Sequence, residues 1–427
     1  MKNESLQVVP KQYRLPFILI TCLFALWGFA NDITNPMVAA FKTVMEISNA
    51  KASLVQFAFY GGYATMAIPA ALFAQKYSYK KGILLGLSLY AIGALLFWPA
   101  AQYQAFGFFL ISLYILTFGL AFLETTANPF ILSLGNAKTA TRRLNLAQAF
   151  NPMGSLLGMF IAAKLVLANL QSDKAIFGTL DEVTKATYRT HDLMIIRNPY
   201  VALGLVVIII LVVIAMVKMP NTGKTNHIHP LQSFRRLIRN KIYREGVLAQ
   251  VFYVAAQIMC WTFIIQYAEN IGIAKETAQM YNIVAMSIFL CSRFISTLLM
   301  KYINARQLLF LFAIGGMLTT SGAILIEGMT GLYLLIATSA FMSLMFPTIY
   351  GIALESIGED ATLGAAGLVM AIVGGALMPP LQGAIIDMER IGFLPAVNVS
   401  FILPFSCFVL IAIYGYRSYK IHKIEAF

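Results

Sequence analysis

Residues 121–154 read AFLETTANPFILSLGNAKTATRRLNLAQAFNPMG. Two apolar runs flank a short basic loop, Lys138 to Arg143. The first run carries an acid, Glu124, and an amide, Asn128; the second carries Gln148 and Asn151. Hydrocarbon tolerates such groups poorly, so each one inside a membrane span is a candidate for function. The stretch reads as two membrane-crossing helices that carry the polar heart of a transport site.

The rest of the chain supports this reading. Of 427 residues, 59% are hydrophobic and only 11% are charged, against about a quarter charged in soluble domains. The class is an all-α polytopic membrane protein. The net charge of +13 does not point to nucleic acid, because the charges sit in short loops between apolar runs and form no patch on a soluble face. Cys22, Cys260, Cys291 and Cys407 all lie in apolar runs without CxxC spacing. They read as buried thiols, neither disulfides nor metal ligands. His227 and His229 lack a third ligand and read as solvated. The chain has no Walker A loop, HExxH or nucleophile elbow, so no enzyme activity, cofactor or metal is expected.

A bilayer core of about 30 Å takes about 20 apolar residues per helix. Twelve spans meet that length, at about 16–41, 53–75, 81–101, 106–134, 143–170, 198–218, 245–268, 278–300, 306–327, 330–355, 362–386 and 393–416. With the N-terminus inside, inner segments hold 21 lysines and arginines and outer segments hold 8, which places both termini in the cytoplasm. One inner loop, Glu355 to Asp360, departs from the pattern with three acids and no base. Residues 171–197 read as a long outer loop. The polar, then basic and amphipathic stretch 219–244 divides the chain into bundles 1–218 and 245–427, and it reads as a linker on the anionic inner leaflet. Lys76-Tyr77 recurs as Lys301-Tyr302, and Gly158 recurs as Gly383 at the same offset. Two parallel six-helix halves are the plan of many secondary transporters.

Depth sorts the polar residues. Glu124, Asn151 and Arg293 each lie eight to ten residues from an inner helix end, roughly 12–15 Å deep at 1.5 Å per residue. Three groups from three spans therefore share one level. Gln148 and Asn151 are i and i+3 and are expected on one helix face. For Glu124 the functional role is a carboxyl that loads and releases a proton or binds a sugar hydroxyl; the plainer role is a buried acid locking helices together. Arg293 has the plainer role of a strut, and Gln148 and Asn151 that of interhelical hydrogen bonding. Asp32 sits in the step Asn31-Asp32-Ile33-Thr34-Asn35-Pro36, which is expected to break up the first span in its outer half. It either accepts a proton from outside or caps a kinked helix. Gln257 and Trp261 share a face of the seventh span, where the indole is placed to stack on a sugar or simply to pack. Gln56 and Asn282 are lesser candidates. Lys164 snorkels, and the pairs Gly61-Gly62 and Gly374-Gly375 are expected to let helices approach closely.

At these residues the chain resembles the fucose–galactose–glucose branch of the major facilitator superfamily. The matching segments are LWGF (26–29), QFAFYGGY (56–63), ETTANPF (124–130), RLNLAQAFNPMG (143–154), LAQVFYVAAQ (248–257), SRF (292–294) and FPTI (346–349). The resemblance implies twelve helices in two pseudo-symmetric bundles, a central cavity and proton-driven import of a monosaccharide, L-fucose first, by a monomer in the bacterial inner membrane. It also implies that Glu124, Gln148, Asn151 and Arg293 are cavity residues. In the family's first helix an aspartate is implicated in proton coupling. By motif that residue is Asp32; aligned without a gap from Trp27, its place falls on Asn35, one turn away. Asn31, Asn35, Gln257 and Trp261 complete the expected sugar contacts. Another hexose or N-acetylglucosamine, sodium coupling, or a sensor that binds without transport are the alternatives.

Overall fold

The structure is a computed structural model that describes residues 7–47, 51, 54–172, 180–220, 230–273, 275–355, 357–388 and 390–425. His227 and His229, and the side chains of Asn35 and Gln56, lie outside the described residues. Among those described, twelve helical segments are long and apolar enough to cross a membrane. Spans 1 to 6 are Lys11–Thr34, Phe57–Lys76, Tyr79–Gln102, Phe106–Ser133, Ala137–Asn169 and Glu182–Met216. Spans 7 to 12 are Lys241–Asn270, Thr277–Leu299, Ala305–Leu325, Met329–Glu355, Ala361–Ile386 and Ala396–Ile421. One short hairpin, Arg390–Ile391 paired with Leu394–Pro395, precedes span 12.

Three boundaries differ from the expectation. The helix of span 1 runs unbroken from Arg14 to Val44. Pro36 removes a single backbone donor, and the long apolar stretches on both sides carry the helix through it. Span 6 starts far earlier than its apolar run, because its helix covers Glu182–Met216. Asp181 caps it, accepting from the Thr184 amide and hydroxyl at 3.1 and 2.6 Å. Hydropathy alone marks 182–197 as loop, but nothing there breaks a helix before Pro199. Span 5 is interrupted. It consists of helices Ala140–Gln148 and Asn151–Ile161, a π-helical turn Ala162–Val166 that includes Lys164, and a final 3-10 turn. Gln148 and Asn151 therefore fall on separate helices, the last residue of one and the first of the next. Pro152 follows Asn151 directly and, without an N–H, cannot continue the hydrogen-bond ladder from the first helix.

The residues form two compact units: Ile18–Phe130 with Met153–Ile228, and Met1–Phe17 with Ile131–Pro152 and His229–Phe427. In the first unit, Gly62 lies against Thr117; a Cβ there would come within 2.7 Å of it. Gly154 meets Ala25 more closely still, with its carbonyl oxygen 1.7 Å from where a Cβ would stand. In the second, Gly374 faces the Val251 carbonyl in the same way, at 2.2 Å. Small residues let membrane helices approach backbone to backbone. All four cysteines are free, but Cys22 and Cys291 are exposed on the helix surfaces, unlike the buried pair Cys260 and Cys407. Their apolar neighbours in sequence do not decide which way a helical side chain faces.

Hydrogen-bond accounting explains two oddities of charge. Arg143 belongs to the basic loop, yet it is fully buried. Its guanidinium donates to the backbone carbonyls of Ile131 at 2.7 Å, of Leu132, and of Val8 at 3.1 Å, and to the Thr139 hydroxyl at 3.1 Å. It closes the end of span 4, where the last carbonyls have no intrahelical donor. The acidic loop Glu355–Asp360 is also resolved. Arg306 pairs with Glu355 at 2.7 Å, and Arg236 grips Asp360 with two bonds of 2.7 Å. The bases that the loop lacks come from neighbouring segments.

Two outcomes are expected. Gly154→Val should lower the thermal unfolding temperature in detergent by several degrees, since overpacking costs about 1–3 kcal/mol. Gly107→Val, with nothing within 4 Å of its Cβ, should not. The hydrogen bonds from Arg236 hold the Asp360 carboxyl below its usual range. Its contribution is therefore full above the unfolded aspartate value of about 3.9 and fades as pH falls through the lower folded value. Acid unfolding of Asp360→Asn should lack that final loss.

Candidate functional site

In the first unit, the two acids sit among tyrosines. Asp32 accepts a hydrogen bond from Ser155 of span 5, which stands next to the glycine pressed on Ala25. The Tyr60 phenol lies within electrostatic reach of Asp32. One helical turn on, Tyr63 feels Glu124, Tyr60 and Tyr90. Tyr63 and Tyr90 are buried. Tyr90 donates to the Leu26 carbonyl at 3.1 Å, and Tyr200 shares a 3.1 Å bond with Thr34. Tyr200 is held flat against Phe97, with ring centroids 3.9 Å apart. Glu124 Oε2 and Asn31 Oδ1 are buried and have no hydrogen-bond partner. Asn128 Nδ2 donates to the Glu124 backbone carbonyl at 3.1 Å. No basic residue pairs with Glu124 in a salt bridge among the described residues. Burying a carboxylate oxygen without a partner is costly.

The second unit contains Gln148, Asn151, Arg293, Gln257 and Trp261. Here the breaks in spans 5 and 10 explain the position of Arg293. Pro152 has no N–H, so the Gln148 carbonyl four residues back loses its helical donor. Pro347 does the same to the Ser343 carbonyl. Arg293 supplies both: Nη1 donates to Gln148 O at 3.0 Å, and Nε donates to Ser343 O. Its guanidinium also lies over the Phe289 ring, 4.6 Å from the centroid. One side chain of span 8 therefore completes the backbone of two proline-broken helices. Around it, Arg142 Nε donates to Thr297 O at 3.3 Å and Asn145 Nδ2 to Thr348 Oγ1 at 3.2 Å. Phe150 meets Phe294 edge-on at 5.9 Å.

Gln148 is nearly fully buried, whereas Asn151 and Gln257 are partly exposed. Trp261 donates to Ser339 Oγ at 3.1 Å and packs edge-on against Phe289 at 5.0 Å. The indole edge is thus fixed. The structure brings Gln148 and Arg293 together in this unit and places Asn31, Asp32 and Glu124 in the other.

A sequence model of the Major Facilitator Superfamily matches residues 20–379. The chain belongs to this superfamily. It is 64% identical over 425 residues to the L-fucose-proton symporter of Haemophilus influenzae, covering 98% of this chain and 99% of that one. It is 34% identical to the L-fucose-proton symporter of Escherichia coli over 95% and 93% of the two chains. Among solved structures, a major facilitator transporter, FucP, in the outward conformation matches with a TM-score of 0.88 at 32% identity. That match covers 96% of this chain and 99% of FucP. This major facilitator protein is a multi-pass membrane transporter and not an enzyme.

Sequence reading missed the tyrosines. Tyr60 and Tyr63 flank Gly61-Gly62 in the segment FYGGY, whose glycines drew the attention as packing residues. Their i, i+3 spacing on a span with few other polar groups was the available signal. Gln250 and Tyr253 of span 7 were also missed; both are fully buried with unpartnered polar atoms.

The Arg293 geometry predicts a coupling. Arg293→Lys keeps the charge but cannot reach both carbonyls, and it should lower stability by roughly 1.5–3 kcal/mol, the worth of a hydrogen bond to a charged group. Pro152→Ala restores a helical donor for Gln148 O. The lysine substitution should then cost measurably less in the Pro152→Ala background, as read by thermal unfolding of the four proteins. Strictly additive costs would contradict the bridging role.

Proposed function

We propose that this protein imports a monosaccharide, L-fucose first, together with a proton, by alternating access. Its bundles are 1–218 and 245–427, joined by the linker 219–244, and it works as a monomer in the bacterial inner membrane with both termini in the cytoplasm. The observation that carries the reading is Glu124: a buried carboxyl with an unpartnered oxygen, in a chain 64% identical to a named L-fucose-proton symporter.

The chemistry follows from the cost of charge. A bare carboxylate at mid-membrane costs about 2.5–3.5 kcal/mol on insertion scales. Protonation removes that penalty and lets the loaded carrier turn. Asp32 and Glu124 are the proton-coupling acids, and Glu124 also meets the sugar. Tyr60 lies within electrostatic reach of Asp32, and Tyr63 of Glu124. Amides of Asn31, Asn35, Gln148, Asn151 and Gln257 bind hydroxyls, and Trp261 stacks on the sugar's apolar face. Arg293 uses Nε and Nη1 on backbone carbonyls and has Nη2 left to offer a ligand.

Uptake of labelled L-fucose, D-galactose, D-glucose and N-acetylglucosamine into membrane vesicles tests the reading. L-Fucose should accumulate against its gradient, and a protonophore should abolish accumulation. Accumulation that survives the protonophore but requires sodium would overturn the proton assignment; binding without accumulation would make the protein a sensor. Glu124→Gln should insert normally and retain sugar exchange at equal concentrations, while proton-driven accumulation falls by at least tenfold. Unaltered uptake in that variant would reduce Glu124 to a strut.

A further inference from the structure

The linker contains a ten-residue helix, Pro230–Arg239, whose two sides differ. One side faces the protein. Ser233 and Leu237 are buried, and Arg236 holds Asp360 through Nε and Nη2 at 2.7 Å each, with Nη2 also donating to Ser233 Oγ at 3.0 Å. The opposite side carries large apolar residues in the open: Leu231 is 83% exposed, Phe234 53% and Ile238 48%. At 3.6 residues per turn these three fall within about 60° of each other. Arg235 and Arg239 border the same stripe, both exposed.

The helix cannot turn to hide the stripe, because the two-bond grip on Asp360 and the buried Leu237 set its rotation. It also cannot leave the membrane boundary. Only Asn240 separates it from span 7, and Asn240 caps that span through the Tyr243 amide at 3.0 Å. An apolar stripe edged by arginines, held at the mouth of a membrane span, matches an anionic lipid surface: acyl chains meet the stripe, and headgroups meet the guanidinium groups.

We infer that this face of the linker helix docks on anionic phospholipid, and that the Arg236–Asp360 pair transmits the docking to the start of span 11. Asp360 directly precedes Ala361, the first residue of that span. A helix seated in the lipid surface braces span 11; an unseated one leaves the pair exposed to water on one side and the brace loose.

Full-length protein in vesicles tests both halves. The variant Phe234→Trp adds one indole to the three native tryptophans. Its additional emission should be quenched by phospholipid brominated on the acyl chains, and more strongly with brominated phosphatidylglycerol than with brominated phosphatidylcholine. Replacing Arg235 and Arg239 by alanine should lower the preference for phosphatidylglycerol on the order of tenfold. Added emission that brominated lipid leaves unquenched would overturn the docking. For the second half, amide hydrogen exchange at residues 361–366 should slow as the phosphatidylglycerol fraction rises. In Asp360→Asn, and equally in Arg236→Gln, the Phe234→Trp quenching should persist while that slowing disappears. If the slowing survives both substitutions, the pair does not transmit docking. Neither readout depends on sugar transport, so the inference stands or falls apart from the proposed function.

Discussion

Hydrocarbon contains no water, so every backbone carbonyl within it must find a donor inside the protein. Prolines at 152 and 347 each withdraw one donor at membrane depth, and the second unit is arranged around the repair. A single arginine on span 8 reaches both freed carbonyls. Its flat, five-donor fork suits that task better than a lysine's point charge. Through this bond the interruption in span 5 remains open, and Gln148 and Asn151 stay on separate helices beside it. Irregular backbone in a membrane is tolerated where protein buries it or where it lines a cavity; here the burying group is charged.

The first unit meets the same constraint differently. It places two carboxyls among phenols, a serine and amides, and among the described residues no base pairs with Glu124. Such an acid has two ways to avoid an uncompensated buried charge: gain a proton or meet water and ligand. The close contact of span 5 with span 1 at Gly154 brings Ser155 within hydrogen-bonding reach of Asp32. The packing glycine and Asp32 are thus adjacent parts of one helix contact.

Charge at the membrane surface follows from tertiary pairing. The acidic loop Glu355–Asp360 contradicts the positive-inside pattern when taken alone, but Arg306 and Arg236 provide its counter-charges. Arg417 pairs with Glu245 in the same unit at 3.1 Å. Conversely Arg143, counted as a loop charge in the topology, is spent on backbone carbonyls at the end of span 4.

The amino-acid sequence by itself determined the class, the twelve spans, the family and the acids at membrane depth. Those follow from hydropathy summed over about twenty residues and from the rarity of charge in apolar runs, both local properties. Only the tertiary structure decided the partners. The i, i+3 spacing of Gln148 and Asn151 suggested one continuous helix, but a turn at Ala149-Phe150 ends one helix at Gln148 and starts the next at Asn151. Residues 182–197 looked like loop because hydropathy detects lipid contact and not helix formation, which the Asp181 cap promotes locally. The roles of Tyr60, Tyr63 and Arg293 depend on groups that come together from distant spans. No local pattern encodes which carbonyl a proline leaves free and which distant side chain arrives to fill it.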